Sequence, residues 1–579
     1  MSQQKYHLFI FIYLLFSISN VFAADRLTVV VDGIEGEVLK NVLSFLSIEQ
    51  QKEFASLSDE RIARLIKKGK KEIKQALQPF GYYKHEVTSE HRKTESGLLA
   101  YFKINQGVPV KISNVDLKIT GEATDDSKFY KLQRDFPLVA GARLNHALYE
   151  RAKNSLEHLA SERGFFDSRF ITREIRLDLD NDKAEVILHL DSGRRYYFGE
   201  VIFKQNIFAE EFLKRYIPFR IGEPYTLSAF LELDSLLNGS DYFEKVDVKL
   251  RHDLAEGLVI PVEVTLETRK RTKYGLGIGF GTDTGGRLRA GVERRRINKW
   301  GHKANIVAQV SRIRDSITVR YIIPQEKPQT DQLVIATGWE SEDVNDIAST
   351  KTTLSLSHTH LSHNWQKTYF LNYELEDYEI GADEDDSTLV MPGVNWTRIR
   401  TNNRIYTTFG NRFVIEVKGG SETLGSTSSF LQALFGVKFI RKLFDKGRII
   451  ARGDLGYTDV MDLNDLPPSV RFFAGGDQSV RGYGYNTLGP VNDQGIVVGG
   501  NHLLVGSLEL EFSHTGSWSS AVFYDVGNAM DDFGDDLKRG TGFGVRYRSV
   551  IGMFRLDVAT GLDKPGNPWR LHLSIGADL

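Results

Sequence analysis

Tyr274-Gly275-Leu276-Gly277-Ile278-Gly279-Phe280-Gly281 puts four large apolar side chains on one face of an extended strand and none on the other, because successive Cβ atoms of a strand point to opposite faces. The same two-residue period returns near the end of the sequence. Phe543, Val545 and Tyr547 alternate with Gly544, Arg546 and Arg548; Phe554, Leu556 and Val558 alternate with Arg555 and Asp557. Leu571, Leu573 and Ile575 alternate with Arg570, His572, Ser574 and Gly576. A soluble sandwich would bury the apolar face against a second sheet. Here the other face carries charge on strand after strand, and lipid outside with water inside accounts for both faces together.

Sixteen segments of this kind can be marked, the first at 273–283, the eighth at 391–401 and the last at 569–578. An even number returns the chain to its starting side. The longest interval, 461–497, falls between the eleventh and twelfth. The glycines near Gly275 are no phosphate loop, since they lack a Gly-Lys-Ser/Thr ending and open no helix.

The chain has 579 residues, too many for one core, so at least two domains are expected. A net charge of −2 gives no basic excess for nucleic acid. The 26% of charged residues and a mean hydropathy of −0.29 argue against a polytopic helical membrane protein. The absence of cysteine removes disulfides, thiolate metal sites and cysteine nucleophiles together. At the start, Lys5, the apolar run 8–18 and Val21-Phe22-Ala23 read as a signal peptide, 1–23, cut after Ala23. The run is shorter than the roughly 20 residues of a spanning helix. The mature chain is therefore expected outside the cytoplasm, where no nucleotide pool supports ATP chemistry.

Between Arg26 and Lys270 the pattern mixes helical and strand periods, and it repeats. Gly81-Tyr82-Tyr83, Gly164-Phe165-Phe166 and Asp241-Tyr242-Phe243 each follow a helical stretch and precede a strand. Three copies of a small α+β unit are expected. In the first, Ile62, Leu65, Ile66, Ile73, Ala76 and Leu77 form a helical stripe behind a Ser58 cap; in the second, Leu148, Ala152, Leu156, Leu159 and Ala160 follow an Asn145 cap. One ring of each aromatic pair is expected in the core. Such units either recruit extended peptides at their sheet edges or act as spacers.

The long interval carries Gly475-Gly476-Asp477-Gln478-Ser479-Val480-Arg481-Gly482-Tyr483. On the twelfth strand Leu504, Leu508, Leu510 and Phe512 are read toward lipid, so Ser507, Glu509 and Glu511 face the lumen; on the thirteenth, Phe523, Asp525 and Gly527 do. If the loop folds inward, Arg481 can bridge Glu509 and Asp525 with its planar fork of donors; otherwise it is an exposed loop arginine.

Val480-Arg481-Gly482-Tyr483 resembles the lid-loop motif of the Omp85 superfamily. Phe523-Tyr524-Asp525-Val526-Gly527 and Gly506-Ser507-Leu508-Glu509 resemble that family's late barrel strands, and the repeats resemble POTRA domains. Three repeats before sixteen strands resemble the outer-membrane subunits of translocation and assembly modules. The resemblance implies three POTRA-like βααββ domains at 24–107, 108–193 and 194–270, then a 16-stranded transmembrane β-barrel at 271–579 with an inward lid at 461–496. It implies a lock of Arg481, Gly482, Tyr483, Glu509 and Asp525. It also implies an outer membrane of Gram-negative type, repeats in the periplasm, unfolded or autotransporter clients, and an inner-membrane-anchored, periplasm-spanning partner. One departure is the end at Leu579, where many outer-membrane barrels have an aromatic residue.

His358, His360 and His363 invite a metal reading, but His358 and His360 share a face with Leu354 and Leu356 and no carboxylate stands at matching spacing. They are read as rim histidines, with no metal and no cofactor expected. Asp383, Glu384, Asp385 and Asp386 are read as a solvated loop between strands seven and eight, the alternative being a site for lipopolysaccharide-bridging cations. Arg294-Arg295-Arg296 and Arg269-Lys270-Arg271 either meet headgroups or lie in solvated turns. No nucleophile–base set suggests an enzyme.

The leading functional reading is a client-insertion factor working at the seam between the first and last strands. There Gly275, Gly277, Gly279 and Gly281 face Leu571, Leu573 and Ile575, and interior glycine weakens pairing. The alternative is a secretion pore exporting a partner through the lumen, as in two-partner secretion transporters, which usually have two repeats and a plug helix.

Overall fold

The computed structural model describes residues 26–52, 58–94, 97–403, 405–514, 516–550, 552–576 and 578; the signal-peptide stretch 1–23 lies outside them. These residues fall into two units. One holds the residues up to Glu200 with Phe219–Leu231 and Leu250–Val262; the other holds Val201–Pro218, Glu232–Lys249 and Glu263 onward.

Three α+β repeats precede the barrel. Strands β1 (Arg26–Asp32), β2 (Glu86–Thr94) and β3 (Gly97–Asn105) form a sheet of order β1-β3-β2, with β1 parallel and β2 antiparallel to β3. β4 (Lys111–Thr120), β5 (Arg169–Asp178) and β6 (Lys183–Asp191) repeat that order as β4-β6-β5. β7 (Tyr197–Lys204), β8 (Phe243–Leu250) and β9 (Val259–Thr268) repeat it again as β7-β9-β8. Two α-helices follow the first strand in the second and third repeats, giving βααββ; in the first, the short helix Ser47–Gln50 is added between Gly36–Phe45 and Asp59–Leu77.

The helix Asp59–Leu77 starts where Ser58 accepts the Arg61 N–H. It buries Ile62, Leu65, Ile66, Ile73, Ala76 and Leu77 against Ala100, Phe102 and Ile104 of β3. The helix His146–Glu162 starts where Asn145 accepts the Leu148 N–H at 3.2 Å. Gly81 (φ 83°) and Gly164 (φ 82°) take the left-handed conformation that stops a helix.

In the first two repeats the aromatic pair divides its rings between a core and a joint, whereas Tyr242 and Phe243 of the third are both buried against Phe208. Phe165 is buried in its own repeat, edge-on to Phe129. Phe166 packs on Tyr196, Tyr225 and His252 of the next, with centroids 5.6, 4.9 and 5.0 Å away. Tyr83 likewise leaves its repeat to pack on the second core, its hydroxyl 2.8 Å from His146 Nε2. The spacing of the motif therefore records the joints as well as the cores.

In the second unit Tyr242 donates to the Gly301 carbonyl, Lys303 lies 4.2 Å from the Tyr242 ring centre, and Arg295 Nε donates to Asp241 at 3.0 Å. Arg271 donates to the Arg296 and Ile297 carbonyls at 2.8 and 2.9 Å, and Arg269 to the Phe243 carbonyl at 2.7 Å. These basic side chains tie the barrel's first turns to the segment before it.

Sixteen strands among the described residues close into an antiparallel barrel from β10 (Thr272–Gly281) and β11 (Gly285–Arg294) to β24 (Gly552–Gly561) and β25 (Trp569–Gly576). No helix of the described residues is long and apolar enough to cross a membrane; strands do that here. The eighth barrel strand, β17 (Asp383–Thr401), begins at Asp383 rather than near 391. Asp383, Glu384, Asp385 and Asp386 are thus not a loop: they pair with Ile380, Glu379, Tyr378 and Asp377 across a two-residue turn. That hairpin carries no lipid-facing apolar alternation, so its pattern could not reveal a strand.

Candidate functional site

The interval 461–501 joins β20 (Gly447–Val460) to β21 (His502–Ser513) and turns inward, burying Val480, Arg481 and Tyr483. Glycine makes this approach possible on both sides. Gly482 has φ 95° and its missing Cβ would lie 2.5 Å from the Thr560 carbonyl carbon; a Cβ on Gly540 would lie 1.9 Å from the Arg481 carbonyl oxygen.

β22 (Trp518–Met530) and β23 (Lys538–Ser549) continue the wall beyond β21. Arg481 meets three carboxylates there. Its Nε and Nη2 donate to Asp525 at 2.7 and 2.9 Å, and its Nη1 donates to Glu509 at 2.7 Å and to Asp557 at 3.3 Å. Its backbone N–H also donates to Asp525, at 3.1 Å. The guanidinium carbon lies 3.4 Å from the centre of the Phe523 ring. Arg546, fully buried on β23, completes the set by donating to Glu509 at 2.9 Å and to Asp557. Every oxygen of the three carboxylates thereby has a charged donor, which is what a buried ionic cluster needs to offset desolvation.

Glu509 and Asp525 therefore lie where alternation along their strands places them, with Arg481 between them. Gly482 and Tyr483 sit against β24 and β25. The Gly482 N–H donates to His572 Nε2 at 3.0 Å, and the Asp563 N–H to Tyr483 Oη at 3.3 Å. Arg546, Asp557 and Phe523 were not expected in the cluster. The first two are visible in the sequence as inward-facing charges, but nothing along one strand says how far round the wall a side chain reaches.

The seam is thin. β10 pairs with β11 along its whole length, but with β25 only at Gly281 and Ser574. Around that pair the Thr282 N–H donates to the Leu573 carbonyl at 3.1 Å, and the Leu573 N–H to Thr282 Oγ1 at 3.1 Å. The edge of β10 carrying Gly275, Gly277 and Gly279 has no strand beside it among the described residues, and Tyr274, Leu276 and Ile278 are 76, 87 and 89% exposed. Through its other edge β25 pairs fully with β24, Leu571, Leu573 and Ile575 standing opposite Val558, Leu556 and Phe554.

Beyond β25 the chain turns to the inside. The buried Asp578 carboxylate accepts from Arg448 at 2.7 Å, Arg555 at 2.8 Å and the Thr407 N–H at 2.8 Å; Arg448 also holds Glu511 at 2.6 Å. In the register set by Gly281 and Ser574, Asp578 would stand opposite Gly277; it is held here instead.

The three histidines stay apart in role. His360 pairs with Asp331, its cross-strand neighbour, supplying a carboxylate that sequence spacing did not reveal. His358 is exposed, and His363 occupies a turn.

The Omp85 superfamily domain matches residues 283–578. The chain belongs to the Omp85 superfamily. In this Omp85 protein, residues 28–106 match the POTRA domain described as TamA domain 1, and 110–193 and 196–267 match the surface antigen variable number repeat. It is 20% identical over 510 residues to the outer membrane protein assembly factor BamA of Nitratidesulfovibrio vulgaris, covering 81% of this chain and 62% of that one. It is 34% identical over 121 residues to the chloroplastic outer envelope protein 80 of Arabidopsis thaliana, covering 19% and 15%. The structure of Haemophilus ducreyi BamA lacking POTRA domains 1-3 superposes with a TM-score of 0.70 at 17% identity, covering 81% of this chain and 99% of that one. The Omp85 chain is thus an outer-membrane barrel with POTRA domains in the periplasm.

Proposed function

We propose that this Omp85 barrel inserts outer-membrane clients, autotransporters among them, by templating their strands on β10. The observation that carries the reading is the seam: one Cα pair, Gly281 with Ser574, where the neighbouring interface of β10 and β11 is paired throughout. A strand edge without a partner is a template for another chain. The Arg481 cluster keeps β21 to β24 and the lid stiff while the seam moves. The lid fills part of the lumen, which supports insertion over export through an open pore. An inner-membrane-anchored partner would reach the periplasmic repeats, where β1 and β2 are the edges of the first sheet and offer strand addition.

The test uses the cysteine-free background. Cysteines at Gly281 and Ser574 are expected to crosslink the seam, stop client insertion, and release the block on reduction. Undiminished insertion by the fully crosslinked protein would overturn the templating mechanism. Crosslinking from His91→Cys on β2 in intact envelopes is expected to capture the partner.

A further inference from the structure

Where the seam is still paired, three side chains from three elements converge. Asp283 lies in the turn between β10 and β11, Asp477 in the lid just before Val480-Arg481-Gly482-Tyr483, and His572 on β25. One ligand-capable atom from each lies within 4.8 Å of the others. The Asp283 and His572 side chains are 6% and 1% exposed.

The carboxylate oxygens here are not all met by charged donors, as those around Arg481 are. Two carboxylates share the site with one imidazole, and the Arg570 guanidinium stands 4.0 Å from Asp283 Oδ1, beyond hydrogen-bond reach. Asp283 Oδ1 is enclosed and accepts no hydrogen bond, although a buried polar oxygen normally finds a donor. The other atoms of the cluster are held in place. The Asp477 N–H donates to Asp283 Oδ2, Thr282 Oγ1 donates to Asp477 Oδ1 at 3.1 Å, and His572 Nδ1 faces Asp477 Oδ1.

We propose that Asp283, Asp477 and His572 form a binding site for a divalent cation of the zinc class, fastening the first hairpin, the lid and the last strand at the outer end of the seam. One imidazole nitrogen and two carboxylates, with a position left for water, match zinc's ligand preference. Bonds of about 2.0–2.2 Å place donor atoms roughly 3–4 Å apart, within side-chain adjustment of the observed arrangement. Calcium and magnesium seek six or more oxygens and fit less well.

The ring sets a condition. Gly482 N–H donates to Nε2, so without an ion the ring proton sits on Nδ1 and points at Asp477. A cation on Nδ1 displaces that proton to Nε2, with no net proton released, and the Gly482 N–H must turn away. The ion thus exchanges one main-chain bond of the lid for ligand bonds across the seam.

The test uses the tag-free full chain, folded in detergent and stripped with chelator. Titration with zinc alone is expected to show one site per chain, weakened at least tenfold in Asp283→Asn and in His572→Gln and unchanged in His358→Gln. Calcium is expected to bind at least tenfold more weakly than zinc. X-ray absorption of the wild-type zinc form needs no variant and is expected to show a single imidazole among oxygen ligands. No zinc binding, equal binding by Asp283→Asn, calcium binding as tight as zinc, or two or more imidazoles on the ion would each overturn the assignment.

Discussion

Arg481 Nε lies 2.7 Å from Asp525 Oδ2, and the same oxygen accepts the Arg481 backbone N–H at 3.1 Å. Side chain and main chain of one loop residue therefore grip one carboxylate on the wall. A lid held this way cannot lift by a rotamer change alone, because the backbone must leave with the guanidinium. Arg481→Ala strands Asp525, Glu509 and part of Asp557 in a buried site, and a loss of about 3–5 kcal/mol is expected. Lid proteolysis and the temperature at which the barrel loses its compact gel mobility will read it. Arg481→Lys is expected to recover little, since an ammonium cannot span two carboxylates as a fork does.

Gly540→Ala tests the wall side of the same contact. The added methyl would stand 1.9 Å from the Arg481 carbonyl oxygen, so the lid backbone must move. A cost of about 1–3 kcal/mol is expected, seen as a lower denaturation midpoint together with faster lid cleavage. A lowered midpoint with unchanged cleavage would separate the glycine from the lid.

Arg448 holds both Glu511 and Asp578 in a buried site. Arg448→Ala is expected to cost about 3–5 kcal/mol and to release the segment after β25. Hydrogen exchange of the β25 amides should quicken more than that of β21. Equal slowing or equal quickening of the two strands would show that the anchor does not govern the seam.

Asp126 gives a pH signature in the periplasmic repeats. Burial works against its charged form, but the Arg163 side chain, the Lys128 N–H and the charges of Arg163 and Arg195 outweigh burial and hold its carboxyl below the ordinary range. A depressed carboxylate adds stability that is present above the unfolded value of about 3.9 and is lost as pH falls through the lower folded value. Exchange of the Ser127–Arg134 helix amides should therefore differ most between wild type and Asp126→Asn above about pH 4. The two should converge as the solution is acidified further.

Much of this was readable in one dimension where a single element decides the matter. Alternation along β21 and β22 places Glu509 and Asp525 on the inner face, and Ser58 and Asn145 mark helix starts, because caps and strand faces are local properties. Arg546 and Asp557 were legible only as inward charges; bringing them to Arg481 depends on the stagger of neighbouring strands. The approach of Asp283, Asp477 and His572 depends on ring closure, which joins the first hairpin to the last strand. Asp331 opposite His360 is a matter of cross-strand register. The acidic start of β17 escaped because an exposed hairpin has no lipid to impose a pattern.

A ring of strands fastened at one residue pair does not have a circumference set by its own hydrogen bonds. Along the rest of β10 no strand among the described residues pairs with that edge, and unpaired main-chain groups cost several kcal/mol each in lipid. The bilayer itself thereby favours any chain that lies down beside β10. If clients insert at this seam, the hoop could widen strand by strand without a fuel supply, drawing its bias from the solvent it sits in.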